Sequence, residues 1–250
     1  MSTPLRVIGN YISPYVRKVL ACLELKGLEY EIDPIAPFVG NEEFSRISPL
    51  RRIPVLIDGD LVLNDSSVIC QYLEDRHPTP SLYPRDIADR ARARWLEEYA
   101  DTRLADGLIW RLFYQLAIKR HIFGEAPNET VVQHARDEAI PAALDYLEQQ
   151  LPDDGFVFGA LSIADISIAS CFRTASFVRY AIDAERWPLM AALVVHVQEL
   201  PALQKLARFE DCMLRLPLAE QRGALITAGA PLTSDTLGTS APRPGPPRAS

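Results

Sequence analysis

Tyr11-Ile12-Ser13-Pro14-Tyr15-Val16-Arg17-Lys18-Val19 is the stretch on which the reading of this chain turns. Ser13 is a preferred helix N-cap type. Pro14 is a preferred first helical residue, because its missing N–H would be unpaired there anyway and its φ is already set. Val16, Val19, Leu20 and Leu23 recur at i, i+3, i+4 and i+7 as one apolar stripe, and Lys26-Gly27 supplies the cation and the left-handed stop that end a helix. Leu5-Arg6-Val7-Ile8 before it alternates as a strand. Ser13 is therefore placed on a strand-to-helix turn, beside free N–H groups and a positive dipole end, where anions bind.

A serine in that position has two readings. As an N-cap alone it adds stability. As a hydrogen-bond donor to a bound thiolate it lowers the pKa of the thiol. Moving a thiol from about 8.5 to about 6.5 requires about 2.7 kcal/mol. One charge-assisted hydrogen bond supplies about 1.5–3 kcal/mol, and the helix terminus about 0.3–1 kcal/mol. A Ser-His-Asp arrangement is disfavoured, since His77, His121, His134 and His196 are all remote in sequence. Tyr11 is the rival donor, a phenol near the end of the first strand, but it lacks the N-cap position beside the dipole end.

Beyond Gly27, Tyr30-Glu31-Ile32-Asp33 alternates as a second strand, and a polar loop follows through Pro37, Asn41 and Ser48-Pro49. Asp58-Gly59 between two apolar runs predicts a hairpin. Pro54 has no N–H for a ladder, so it belongs at the first residue or the edge of its strand. Asn64-Asp65-Ser66-Ser67 then precedes Val68, Ile69, Tyr72 and Leu73, a cap followed by a helical stripe. At this second helix N-terminus, Ser66 with the N–H groups suits a carboxylate and Asp65 an ammonium, the two charged ends of an amino acid.

Strand, helix, strand, hairpin and helix in this order resemble the N-terminal thioredoxin-like domain of the cytosolic glutathione transferases. Three motifs carry the resemblance at the family's spacing: Ser13-Pro14-Tyr15-Val16, Ile53-Pro54-Val55-Leu56, and Asp65-Ser66-x-x-Ile69-x-x-Tyr72-Leu73. It covers roughly residues 5 to 210. It implies Ser13 as the thiol-activating residue of a serine-type member, with Tyr11 as the alternative. Ile53, before what is a cis-proline in the family, then offers its backbone to the cysteinyl part of glutathione. Arg52 matches a position that reaches the glycine carboxylate, and Asp65 and Ser66 match the pair that binds the γ-glutamyl end. Two residues depart from the family pattern: Arg51 stands where Gly is common, and Asp65 is one methylene shorter than the more frequent Glu.

His77-Pro78-Thr79-Pro80-Ser81-Leu82-Tyr83-Pro84 is Pro-rich and reads as a linker. The expected division is a glutathione-binding domain at 1–77, a linker at 78–84, an all-helical domain at 85–220 and a flexible Pro/Gly/Ser-rich tail at 221–250. The fold class is accordingly an α/β thioredoxin-like domain followed by an all-α domain. One or two long helices span Arg85 to about Phe123, and another spans Glu129 to Leu151, kinked by Pro141. Ser162-Ile163-Ala164-Asp165 reads as a capping box that opens a helix apolar nearly all round, central to its domain. Asp165 and Ser162, like Pro54, are structural in this reading. Tyr99, Arg103, Trp110, Phe113, Tyr114 and Phe177, together with Tyr11, are the expected lining of an acceptor pocket, chosen as amphipathic or aromatic side chains.

The formal net charge of −7 and pI near 5.2 argue against a nucleic-acid or anionic-membrane partner. No stretch has the length and apolarity of a membrane span, and Met1-Ser2-Thr3-Pro4 does not open a signal peptide. Cys22, Cys70, Cys171 and Cys212 form no CxxC, which suits a reducing cytoplasm and gives no metal site. No phosphate-binding glycine motif occurs. The expected function is thus a cytoplasmic glutathione transferase of the detoxification type, a homodimer by the resemblance. It would take glutathione as cosubstrate and add it to a small hydrophobic electrophile. Peroxide reduction and dehalogenation share the same thiolate. The isomerase members' Ser-Ser-Cys start is absent. A non-enzymatic scaffold is the alternative, and would not require residues for every end of glutathione to be present together.

Overall fold

The computed structural model describes residues 4–214, 216–239 and 242. The chain forms two compact units, one from the first 80 residues together with those from Pro201 onward, the other from Ser81–Leu200.

In the first unit, β1 (Leu5–Ile8), α1 (Pro14–Leu25), β2 (Tyr30–Asp33), α2 (Glu42–Ile47), β3 (Val55–Asp58), β4 (Leu61–Asn64) and α3 (Ser66–Arg76) follow in chain order. The sheet order is β2-β1-β3-β4, with β1 parallel to β2 and antiparallel to β3, and with β3 and β4 forming the hairpin that Asp58-Gly59 predicts. Gly59 takes φ 59°, the left-handed conformation that such a turn demands. Val16, Val19, Leu20 and Leu23 are fully buried, so the stripe read from the sequence is the face of α1 that enters the core. Lys18 Nζ reaches Ser67 Oγ at 3.1 Å and joins α1 to the start of α3. Lys26 Nζ binds the Glu74 carboxylate at 2.8 Å and the carbonyls of His77 and Pro80, each at 2.7 Å, satisfying acceptors where α3 ends.

Two helices of this unit lie outside the first domain expected from the sequence. The all-helical domain was to run to residue 220, but α9 (Pro201–Met213) groups with the sheet unit. The cause is a set of long-range partners that no local pattern reveals: buried Glu210 with Arg17 at 2.5 Å, Lys205 with Glu24 at 2.8 Å, and the Phe209 ring on Tyr11 at 5.3 Å. The segment 221–250, expected to be a flexible tail, is corrected as far as it is described. Leu218–Thr227 is a helix (α10), and Leu232 and Gly238 bridge to Ile32 and Gly40. β2 is an edge strand whose unpaired groups give this polar segment partners. The remainder of that segment lies outside the described residues.

The second unit is helical. α4 (Ile87–Tyr99) runs on through Ala100–Leu104 and Asp106–Lys119, where the hydrogen bonds widen to the i+5 pattern, to Arg120–Ile122. α5 (Glu129–His134) widens in the same way over Ala135–Ala139, immediately before α6 (Ile140–Glu148). Pro141 explains this change: it lacks the N–H for an intrahelical bond, and its ring crowds the carbonyl one turn back. A Cβ on Gly107 would lie 2.8 Å from the Ile140 side chain, so glycine permits the close approach of these helices. α7 (Ile163–Ser176) is the central helix, buried on nearly all sides. Asp165 closes the capping box at its start, accepting from Ser162 N at 2.8 Å, Ser162 Oγ at 2.6 Å and Val157 N at 2.9 Å. α8 (Pro188–Gln198) follows, its first N–H groups held by the Glu148 carboxylate at 2.8 and 2.9 Å.

Candidate active site

The register of the sheet brings the three sequence motifs to one edge. Ile8 at the end of β1 pairs with Val55 at the start of β3, and Val55 pairs with Asn64 at the end of β4. The turn leading to Ser13, the Ile53-Pro54 step and the Asp65-Ser66 step therefore emerge side by side. α1 and α3 both begin at this edge, with the positive ends of their dipoles toward it. Gly9 makes the convergence sterically possible. A Cβ there would lie 2.5 Å from Val16 Cγ2 and 3.4 Å from Ile53 Cβ. Its role was not read from the sequence, where it is one glycine after a short strand.

Ser13 is the N-cap of α1, with φ −69° and ψ 128°, and its hydroxyl accepts from Val16 N at 3.4 Å. The bond is long, and the half-buried hydroxyl keeps its proton available to donate outward. The turn before it is held by Asn10, whose side chain accepts from Ile12 N at 3.0 Å and whose carbonyl accepts from Ser13 N at 3.0 Å. Arg17 reaches the carbonyls of Tyr11 and Ile12 at 3.5 and 3.4 Å.

Tyr11 is not part of this edge. It is fully buried, and its ring packs on Phe209. Burial, then the Glu24 carboxylate, pushes its phenol pKa well up. A hydroxyl closed off from solvent is poorly placed to meet an incoming thiol or an acceptor. Its burial depends on α9, some two hundred positions later in the chain.

The Ile53-Pro54 peptide is cis. Ser48 holds the preceding residue at both backbone groups, its Oγ accepting from Arg52 N at 2.9 Å and donating to Arg52 O at 2.8 Å. The Arg52 side chain is exposed, as a carboxylate-binding cation requires. Arg51 is used differently. Its φ is 48°, in the left-handed region that explains glycine in the related position. Its guanidinium donates to the carbonyls of Gly40 at 2.9 Å and Pro37 at 3.2 Å and to Ser45 Oγ, and lies over the Phe44 ring. Arg51 thus ties down the segment leading into α2.

Asp65 also has a positive φ, 75°, and caps α3 by accepting from Ser67 N at 2.9 Å and Val68 N at 3.4 Å. Both bonds use Oδ1, and the residue is exposed, so the carboxylate can still meet an ammonium. Ser66 is buried at the first position of the helix.

In the helical unit the expected acceptor residues divide into pairs. Tyr99 packs on Tyr146 at 4.5 Å and on Trp95 at 5.9 Å; Trp110 lies 6.2 Å from Tyr114, and Phe113 lies 6.4 Å from Phe177. Arg103 is exposed one turn after Tyr99, while Phe113 is buried. Arg173 was missed. Its guanidinium lies 4.9 Å over Phe177, and the i, i+4 spacing on one helix was the signal that could have found it. No group of side chains suited to a metal ion occurs among the described residues.

A family model for the glutathione S-transferase N-terminal domain matches residues 7–81, and one for the C-terminal domain matches 93–194. Glutathione S-transferase Z1 of Arabidopsis thaliana is 30% identical over 206 residues, 80% of this chain and 90% of that protein. A probable maleylacetoacetate isomerase of Vibrio cholerae is 30% identical over 209 residues, 80% of this chain and 93% of that protein. The crystal structure of a glutathione S-transferase from Rhodospirillum rubrum has a TM-score of 0.74 at 28% identity, covering 81% of this chain and 91% of that one. Fold and site together define a thioredoxin-like unit with a serine-capped first helix, followed by a helical unit. The chain belongs to the glutathione S-transferase family of enzymes.

Proposed function

We propose that this enzyme binds glutathione at the sheet edge, ionises its thiol with Ser13 and adds the thiolate to a small hydrophobic electrophile. The observation that carries the reading is the register, which brings Ser13, Ile53, Arg52 and the Asp65-Ser66 pair to the same edge as two helix N-termini. Each end of glutathione then has a partner of the right chemistry. The glycine carboxylate meets Arg52, the cysteinyl amide meets the backbone of Ile53, and the γ-glutamyl ammonium and carboxylate meet Asp65 and Ser66. The thiolate accepts from the Ser13 hydroxyl at the end of α1, where hydrogen bond and dipole both favour the anion. With the nucleophile formed, addition requires positioning more than further proton transfer.

The aromatic pairs of the helical unit, with Arg173 over Phe177, are the surface we assign to the electrophile. Conjugation is preferred to isomerisation because Pro14-Tyr15 stands where isomerase members carry Ser-Cys. The working form in this reading is a homodimer. The test is turnover of an activated aryl chloride with glutathione. The wild type should conjugate it, and Ser13→Ala should lower kcat/KM by about 10²-fold, the effect of losing a single charge-stabilising donor. An unchanged rate in the variant would overturn the assignment of Ser13.

A further inference from the structure

β2 is the outer strand of the sheet, and an outer strand leaves a row of N–H and C=O groups unpaired. Here the chain's own C-terminal segment takes them. Ile32 donates to Pro231 O at 2.8 Å and accepts from Thr233 N at 3.1 Å. The next residue, Asp33, is wholly buried and acts as an anchor: Oδ2 accepts from Leu237 N at 2.7 Å and Oδ1 from Thr236 Oγ1 at 2.8 Å, with the Arg222 guanidinium 3.5 Å away. Beyond the strand, Asn41 donates to Leu237 O at 2.8 Å, and Thr239 donates to Val39 O at 2.6 Å. Leu237 and Leu218 join Ile8, Val39, Phe44, Ile53 and Val55 in one apolar cluster.

These contacts lead step by step to the residues assigned to glutathione. Asn41, held by Leu237, caps α2 through Phe44 N at 2.9 Å. α2 ends at Ser48, which holds both backbone groups of Arg52. Arg52 and Ile53 are the residues that meet the cosubstrate, and Ile53 shares its apolar cluster with Leu237. On the other side, Asn10 Nδ2 donates to Pro34 O at 3.4 Å and links the segment after Asp33 to the turn before Ser13. The family models end at residue 194, so this C-terminal segment lies beyond what they match.

We propose that residues 218–239 are a strap that holds the α2 wall of the glutathione site in its binding position, with Asp33 as its anchor. The proposal rests on the glutathione reading given above. The strap touches none of the groups assigned to the thiol, so it sets affinity for glutathione and leaves the thiol's acidity alone.

The test is made in the full chain with Thr236→Val/Leu237→Pro, which removes both donors to Asp33, and with the milder Leu237→Ala. Glutathione binding is measured by calorimetry, the bound thiol is titrated by its ultraviolet band, and amide exchange is followed at residues 36–53. The double variant should raise the glutathione Kd and KM roughly tenfold, equivalent to about 1.4 kcal/mol, with an unchanged thiol pKa and faster exchange at Asn41 and Arg52. Leu237→Ala should move the same quantities less. Lowered thermal stability with unchanged Kd and KM in both variants would reduce the segment to a structural edge cover and overturn the proposal. A wild type that binds no glutathione would overturn the glutathione reading instead. The exchange arm then decides the strap, because unaltered exchange at Asn41 and Arg52 would refute it independently.

Discussion

Replacing Glu210 by Gln isolates the interaction that attaches α9 to the active-site helix. The Arg17–Glu210 pair has a 2.5 Å separation, and its side chains are only 2% and 1% exposed. Removing the carboxylate of this buried pair leaves the Arg17 charge without its counter-ion, a loss of about 3–5 kcal/mol. At about 2–4 °C per kcal/mol for chains of this length, Tm should fall by about 6–20 °C. Replacing both residues by apolar ones, Arg17→Met with Glu210→Leu, removes the desolvation penalty together with the attraction. It should restore most of the loss. Trp95, Trp110 and Trp187 all lie in the second unit, so tryptophan fluorescence follows that unit while far-ultraviolet circular dichroism follows both. The Glu210→Gln shift should therefore appear in the dichroism, and in the fluorescence only if the units unfold together. A loss below about 1 kcal/mol, the value of an exposed pair, would refute the assignment of Arg17–Glu210 as a buried pair that fastens α9.

Three further outcomes follow from particular residues. Arg51→Gly relieves a positive φ of 48° but releases Pro37, Gly40 and Ser45. Stability should change by no more than about 1 kcal/mol while KM for glutathione rises in steady-state kinetics. Arg52→Ala should raise KM for glutathione by about tenfold with little change in kcat, as expected for loss of binding common to ground and transition states; a glutathione ester blocked at the glycine carboxylate should show no such difference between wild type and variant. Burial raises the folded-state pKa of Asp165 above 3.8, against the opposing hydrogen bonds from Ser162 and Val157. The proton is then held more tightly in the folded chain, so this group's stabilisation is complete below about pH 3.8 and is lost as pH rises through the folded pKa. The stability of wild type minus that of Asp165→Asn should accordingly decline from about pH 4 toward neutrality in urea titrations.

What the sequence made legible is what local chemistry decides. Ser13-Pro14 starts a helix because cap and ring suit that position, Asp58-Gly59 turns because glycine accepts a positive φ, and Asp65 caps α3 through the two N–H groups that follow it. The edge assigned above to glutathione is built from such local devices. Contacts made at long range were not. Tyr11 looks available until Phe209 covers it, and Arg51 is only a departure from the family's Gly until its partners at Pro37, Gly40 and Ser45 are seen. The polar composition of the C-terminal segment suggests no packing. Asp33 and the open edge of β2, more than 180 residues earlier, supply its partners. Acceptor residues are the least legible, since ordinary aromatic types acquire meaning only from their pairing.

The ultraviolet difference titration of bound glutathione, run on wild type, Ser13→Ala and Tyr11→Phe, tests the central claim most directly. A thiolate band that titrates about two pH units below the free thiol in wild type, is lost in Ser13→Ala and persists in Tyr11→Phe is the result predicted by activation from the α1 N-cap. A bound thiol with its ordinary acidity in wild type, or a band unaffected by Ser13→Ala, would contradict it.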